Sequence, residues 1–322
     1  MTYRVSPAPH AKSTMSTQSI MAAVLVALSP CVAAAAYWFG WRALLVVLIS
    51  VVSCVLFELL AQIIAKRPIT ISDYSAAVTG VILALNLPVT APWWMIVIGA
   101  GFAILIVKQL FGGLGCNFLN PALAARAVLL ASWPSHMTNF TAPLGIQNFT
   151  ATDAVSSATY LTGGYDAGLF ELFIGKIPGS LGEVCKLAIL VGLVYLLIRK
   201  VITIEVPASF ISSFMIFAFL FGLARNEYAT TAEMFLFPLE AVLSGGVLFG
   251  AVFMATDYVT NPMTTLGRII FGIGCGLLVA VIRFFGSYPE GVTYTILLMN
   301  IVTPLIDRFV RPRVYGEVRA DA

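Results

Sequence analysis

A chain of 322 residues that is 60% hydrophobic and only 10% charged, with a mean hydropathy of +0.96, is excluded as an ordinary soluble domain, because such domains are about one quarter charged. A crossing helix takes ~20 apolar residues, so the chain reads as an all-α polytopic membrane protein with about ten transmembrane helices in the lipid bilayer. The net charge of +3 comes from dispersed basic residues, which form no nucleic-acid-binding stripe and act instead as a topology signal.

In chain order, a tail over residues 1–18 precedes apolar runs at 19–38, 43–65, 74–88, 92–110 and 118–133, which make a first five-helix half, 19–133. A Thr/Ser-rich loop, 134–181, is too long for a plain connection and is expected to carry function. Runs at 182–198, 206–224, 236–256, 269–285 and 291–307 make a second five-helix half, 182–307, and a tail, 308–322, closes the chain. The first run ends in Ala33-Ala34-Ala35-Ala36. It is longer than a signal-peptide core and follows a long basic lead, so it is read as a span.

With the N-terminus inside, the inner segments collect twelve of the 18 basic residues, among them Lys66, Arg67, Arg199, Lys200, Arg268 and Arg308. The outer side and the membrane keep six, Arg42, Arg126, Lys176, Lys186, Arg225 and Arg283. This bias puts both termini in the cytoplasm and the 134–181 loop on the outer, periplasmic face.

Two stretches are similar at an offset of about half the chain: Ala77–Leu83 with Ala241–Leu248, and Gly99–Gly112 with Gly272–Gly286. Five spans separate the partners, so they cross in opposite directions, as inverted repeats do. Polar ligands then belong near the repeat interface, where broken helices expose backbone groups.

Cysteine and histidine usage narrows the chemistry. The five cysteines are widely spaced and include no C-x-x-C pair, so a disulfide framework, a zinc site and a self-contained iron–sulfur cluster are not expected. His10 and His136 both fall outside the apolar runs, which leaves no pair of helical ligands for a haem. Glu58, Arg126, Lys186, Glu240 and Arg283 fall inside runs and are candidates for an ion path or for structural ion pairs. Asn139-Phe140-Thr141 and Asn148-Phe149-Thr150 match a glycosylation sequon and are read as accidental.

Three polar segments interrupt the apolar background. One is the inner-face loop from Phe111 to Ala122, where Gly112, Gly113 and Gly115 admit a close approach to backbone and Asn117 and Asn120 offer amides. Its Asn120-Pro121 step also suits a capped helix start. The second half has its own Asn-Pro loop, Asp257-Tyr258-Val259-Thr260-Asn261-Pro262, following Thr256. Two such loops on one face suggest a shared pocket. The third is Asp153-Ala154-Val155-Ser156-Ser157-Ala158-Thr159 in the outer loop, which by residue type alone suits an N-cap or an Asx turn.

Asp153-x-x-Ser156-x-Ala158-Thr159 resembles the D-x-x-S-G-A-T motif at which a flavin transferase esterifies FMN to threonine. Lys108-Gln109-Leu110-Phe111-Gly112-Gly113 running into Asn117-Phe118-Leu119-Asn120-Pro121-Ala122 is similar to the signature preceding that motif in one family. Phe249-Gly250-Ala251-Val252-Phe253-Met254-Ala255-Thr256-Asp257 resembles the second-half motif of that family. The family comprises the D subunit of the Rnf electron-transport complex and the B subunit of the sodium-pumping NADH:quinone reductase, and the short N-terminal tail here is more similar to the Rnf branch. Ser157 departs from the family pattern, standing where glycine is usual.

The resemblance implies a bacterial inner-membrane flavoprotein subunit that is not catalytic alone. It implies covalent FMN on Thr159, with Asp153, Ser156 and Ser157 beside it, an FMN-carrying G subunit and other membrane subunits as partners, and coupling to Na⁺ or H⁺ movement. A second, non-covalent flavin, riboflavin, is expected between the two inner loops, with Asn117, Asn120 and Asp257 at its edge and Thr256 and Asn261 behind them. A channel or carrier for a small polar solute and a passive membrane anchor are the rival readings.

Overall fold

The computed structural model describes residues 16–141, 143, 168–225, 231–286 and 291–311. These residues are helical, joined by irregular connections of which some are buried. The order is α1 (Thr17–Phe39), α2 (Trp41–Ile64), α3 (Ser75–Leu85), α4 (Trp93–Gly101), α5 (Pro121–Ser132), α6 (Pro134–Met137) and α7 (Leu169–Ile174). It continues with α8 (Lys186–Ile198), α9 (Glu205–Ala224), α10 (Thr231–Leu243), α11 (Val247–Phe249), α12 (Thr265–Phe285) and α13 (Val292–Phe309). Two π-helical stretches, Phe102–Gln109 and Gly250–Met254, continue α4 and α11.

All ten apolar runs are helical over most of their length, but their lengths differ. Among the described residues α1, α2, α9 and α12 are long and apolar enough to cross a bilayer unaided, and a fifth span is counted if α10 and α11, bent by 64°, are one broken crossing. Along α2, Leu44, Leu48, Val52, Leu56 and Leu60 recur every four residues and are all exposed, so one helix face is a continuous apolar stripe. Such a stripe is unfavourable in water and native in lipid. This is a multi-pass membrane protein.

Helices pack through small residues and polar crosslinks rather than through hydrophobic segregation, which lipid does not drive. Gly272 and Gly276 on α12 face α9 so closely that a Cβ on Gly276 would stand 2.7 Å from the Phe214 nitrogen. The buried Ser50 hydroxyl on α2 donates to the Gly80 carbonyl of α3 at 2.7 Å.

The short helices α3 and α8 are completed by buried non-helical backbone in which Leu87, Val89, Ser180, Leu181 and Val184 are all covered. These irregular segments satisfy each other: Gly182 N donates to Leu85 O at 2.7 Å and Leu181 N to Leu87 O at 3.2 Å. Unwound backbone inside a membrane protein survives only where protein supplies its partners. Gly182 is required here, because a Cβ would meet the Leu85 Cβ at 2.7 Å.

Intramembrane cations hold helix ends. Arg126 on α5 reaches Asn86 Oδ1 at 3.3 Å and Thr293 Oγ1 at 3.0 Å, joining the end of α3 to α13. Arg283 on α12 donates to the Ala241 carbonyl at 2.5 Å and the Ser244 carbonyl at 3.4 Å, at the bend between α10 and α11. Lys186 is fully buried and donates to the carbonyls of Glu183 and Val184. Arg283 stands at the last carbonyls of α10, where a cation opposes the negative end of the dipole, whereas Lys186 opens α8 and serves the irregular backbone before it. These contacts give Arg126, Lys186 and Arg283 structural partners; Glu240 lies on α10.

Candidate functional site

The two motif loops are each preceded by a π-turn. Widening the helix from i→i+4 to i→i+5 bonding rotates the following residues relative to an α-helical register, and such bulges recur at functional sites. After Phe102–Gln109 the chain turns through Gly112, Gly113 and Gly115, whose φ angles of 127°, 100° and 86° lie where a side chain is strained. After Gly250–Met254 it enters the Asp257–Pro262 loop.

The first π-turn carries Lys108 into the interior, where its ammonium pairs with Glu58 of α2 at 2.7 Å. Both side chains are almost wholly buried. Lys108 also donates to the Ser75 hydroxyl at 2.6 Å, and that hydroxyl donates to Asp73 Oδ1 at 2.6 Å. Gln109 adds a bond to Glu58 Oε1 at 2.9 Å, while Glu58 Oε2 has no hydrogen-bond partner among the described residues. A charge at this depth is tolerated because it is paired.

Asn120 caps α5 by accepting from the N–H groups of Ala122 at 3.1 Å and Leu123 at 3.4 Å. Its amide nitrogen crosses to the second half and donates to the Met254 carbonyl at 3.3 Å. Asn117 donates to the Leu119 carbonyl at 2.9 Å, and among the described residues its Oδ1 accepts no hydrogen bond. Thr256 bonds back to Val252 O at 2.6 Å. Burial pushes the Asp257 carboxyl above the usual range, against bonds from Val259 and Thr260 that favour the charged form. The Tyr258 hydroxyl donates to the Val201 carbonyl.

Asn117, Asn120, Thr256 and Asp257 line one cavity of about 110 Å³, together with Ser75, Thr79 and Lys108. Its apolar wall includes Val78, Ile82, Val252 and Phe253. Asn261 lines an adjoining cavity of about 270 Å³ with Thr203, Tyr258, Pro262 and Arg268. The N-termini of α3 and α5 open on the first cavity through Ser75 and Pro121–Ala122. An amide acceptor, the Lys108–Glu58 pair and the capped starts of α3 and α5 border an apolar slot. In residue type this lining suits the polar edge of a flavin ring, and at about 110 Å³ the slot encloses only part of such a ring. Asp153, Ser156, Ser157 and Thr159 lie outside the described residues.

Sequence reasoning passed over Ser75, Thr79, Tyr258, Arg268 and the role of Lys108. The available signal was a basic residue within an apolar run, Lys108, and an acidic one in another, Glu58. Such residues need partners in lipid, so each points to the other.

The family described as NQR2, RnfD, RnfE matches residues 4–316. The chain belongs to this family. Among its relatives, the D subunit of the Na(+)-translocating ferredoxin:NAD(+) oxidoreductase complex of Acetobacterium woodii is 48% identical over 97% of this chain and 95% of its own length. The D subunit of the proton-translocating ferredoxin:NAD(+) oxidoreductase complex of Clostridium ljungdahlii is 38% identical over 98% and 97%. The D subunit of the ion-translocating oxidoreductase complex of Halorhodospira halophila is 38% identical over 98% and 96%.

Proposed function

We propose that this family member is the membrane flavoprotein subunit of an ion-translocating ferredoxin:NAD oxidoreductase complex, working with an FMN-carrying G subunit and other membrane subunits. It spans the bacterial inner membrane ten times as two inverted sets of five, with both termini cytoplasmic. FMN is attached to Thr159 by a flavin transferase, beside Asp153, Ser156 and Ser157, and a non-covalent riboflavin occupies the cavity between the two motif loops. The observation that carries the reading is that loops more than 130 residues apart in sequence line one cavity suited to a flat ring, in a chain matching the family from end to end.

A bound flavin supplies the electron-accepting chemistry. The chain's own residues bind and orient it. Asn117 Oδ1 would accept from a ring N–H, Lys108, whose charge Glu58 answers, would offer its third N–H, and Val78, Ile82 and Phe253 would exclude water from the ring faces. Glu58 holds Lys108 in place. Movement of charge through such a membrane site is sensitive to voltage, at ~2.3 kcal/mol per charge per 100 mV.

The test is a flavin count on the purified complex. Covalent flavin is read by fluorescence of the denatured band, and free flavin by acid extraction. Thr159→Val should remove the covalent flavin, lowering the intact mass by one FMN, while about one extractable flavin per chain remains. Retained band fluorescence would put the attachment elsewhere. Absence of extractable flavin would remove the second site.

A further inference from the structure

Cations gather at one end of the bundle. The turn from α8 to α9 carries Arg199 and Lys200, α12 opens with Arg268, and α13 closes on Arg308 and Arg311; Arg268 is half-buried and the others are exposed. Hydrogen bonds draw these segments together. Arg268 donates to the Thr203 hydroxyl at 3.3 Å and to the Pro262 carbonyl at 3.2 Å, and Asp307 of α13 accepts from the Met263 N–H at 3.0 Å. Glu205, which accepts from Thr203, and Asp307 are the acids among the described residues of these segments, while Asp257 lines the first cavity instead. The cations outnumber the acids.

The 270 Å³ cavity lies within this cluster, walled in part by Thr203, Tyr258, Met263 and Arg268. Thr203 and Pro262 engage two of the five N–H donors of Arg268, which leaves others for a ligand. The Tyr258 hydroxyl donates to the Val201 carbonyl and keeps its lone pairs. Around the cavity the surface turns apolar: Ile198, Ile204 and Met263 are each more than half exposed. Leu187, Val191, Val194 and Ile198 recur at helical spacing along the exposed face of α8 and lead to Arg199. A cationic hollow at the foot of an apolar stripe complements an amphiphile with an anionic head.

We infer that this end of the bundle holds an anionic phospholipid, with its phosphate on Arg268, a headgroup hydroxyl on Tyr258 and an acyl chain along the α8 stripe. The phosphate diester answers part of the surplus positive charge. A choline head brings a further cation to the cluster, so the site discriminates by headgroup charge. Seated there, the lipid ties the α8 to α9 turn to the start of α12.

The complex, purified in neutral detergent and stripped of lipid, is titrated with phosphatidylglycerol or phosphatidylcholine, and the lipid retained is counted by native mass spectrometry. Phosphatidylglycerol affinity at the site should fall about fivefold for each charge removed in Arg268→Gln and in Arg199→Gln/Lys200→Gln, with phosphatidylcholine unchanged. The second variant leaves the Thr203 and Pro262 bonds of Arg268 intact, so it carries the test if Arg268→Gln lowers the yield of folded complex. Lys66→Gln/Arg67→Gln, an exposed pair on another turn that lines neither cavity, should retain as much phosphatidylglycerol as the parent. Equal retention of phosphatidylglycerol by the parent and both cluster variants overturns the site. An equal loss from the Lys66 and Arg67 pair overturns it too, because the attraction then belongs to net charge rather than to this cluster. Displacement of the lipid by inorganic phosphate at equal concentration overturns the acyl-chain placement and with it the choice of a lipid.

Discussion

The side-chain nitrogen of Asn120 donates to the main-chain carbonyl of Met254 at 3.3 Å, tying the loop of one half of the molecule to the π-turn of the other. The same side chain caps α5 through its oxygen. Asn120 is thus committed to the frame of the cavity, whereas Asn117 keeps an uncommitted acceptor at the wall.

That difference separates two substitutions. Asn120→Leu removes a cap and a cross-half bond, for about 2 kcal/mol of lost stability, and should lower the unfolding temperature in detergent together with extractable flavin. Asn117→Leu should cost flavin with little change in unfolding temperature. Equal thermal losses in the two variants would put both side chains in the frame.

The buried Glu58–Lys108 pair makes a second prediction. Removing one partner strands a charge in the membrane interior, which costs ~3–5 kcal/mol. Glu58→Leu and Lys108→Met should each destabilise the protein severely, while the double replacement Glu58→Leu/Lys108→Met should recover most of the loss. Thermal or denaturant unfolding of the four proteins closes the cycle. Additive losses would show that the pair is uncoupled.

Helix packing gives a third, with its own control. A Cβ on Gly276 would stand 2.7 Å from the Phe214 nitrogen and 2.8 Å from the Phe210 oxygen, both of them backbone atoms of α9. Gly276→Ala should therefore cost ~1–3 kcal/mol, the usual range for overpacking. A Cβ on Gly274 would meet the tip of Met299 at 2.6 Å, and a thioether adapts. Gly274→Ala should be the milder of the two by unfolding temperature.

The ten apolar runs and the two Asn-Pro loops were legible because lipid burial and helix starts leave marks in residue type. Hydropathy did not show that α3 and α8 would be short, since a helix apolar on every face carries no mark of where it stops. The bonds that replace the missing turns, Gly182 to Leu85 and Leu181 to Leu87, are made by main-chain atoms. Nor did composition reveal the π-turn that brings Lys108 to Glu58. The shared cavity was foreseeable from two polar loops on one face, yet the part Asn120 takes in framing it was visible only once Met254 stood beside it.

The last prediction concerns Asp257, just beyond the second π-turn. Burial raises its carboxyl above the ordinary range in the folded protein, outweighing the bonds from Val259 and Thr260. A carboxyl with a raised folded-state pKa binds its proton more tightly folded than unfolded. Its contribution is therefore fully present below the ordinary carboxylate range, and stability falls as pH rises through the raised value. Above that value the anion must be carried at the cavity wall, so a ligand acceptor placed against it is repelled and a donor is favoured. Asp257→Asn keeps the shape and cannot ionise. Unfolding temperature measured from about pH 4 to 8 should decline more steeply for the parent than for Asp257→Asn, with the two converging at the acid end. Parallel curves would mean that Asp257 carries its charge at no cost, and that its neighbours compensate burial more fully than Val259 and Thr260 do alone.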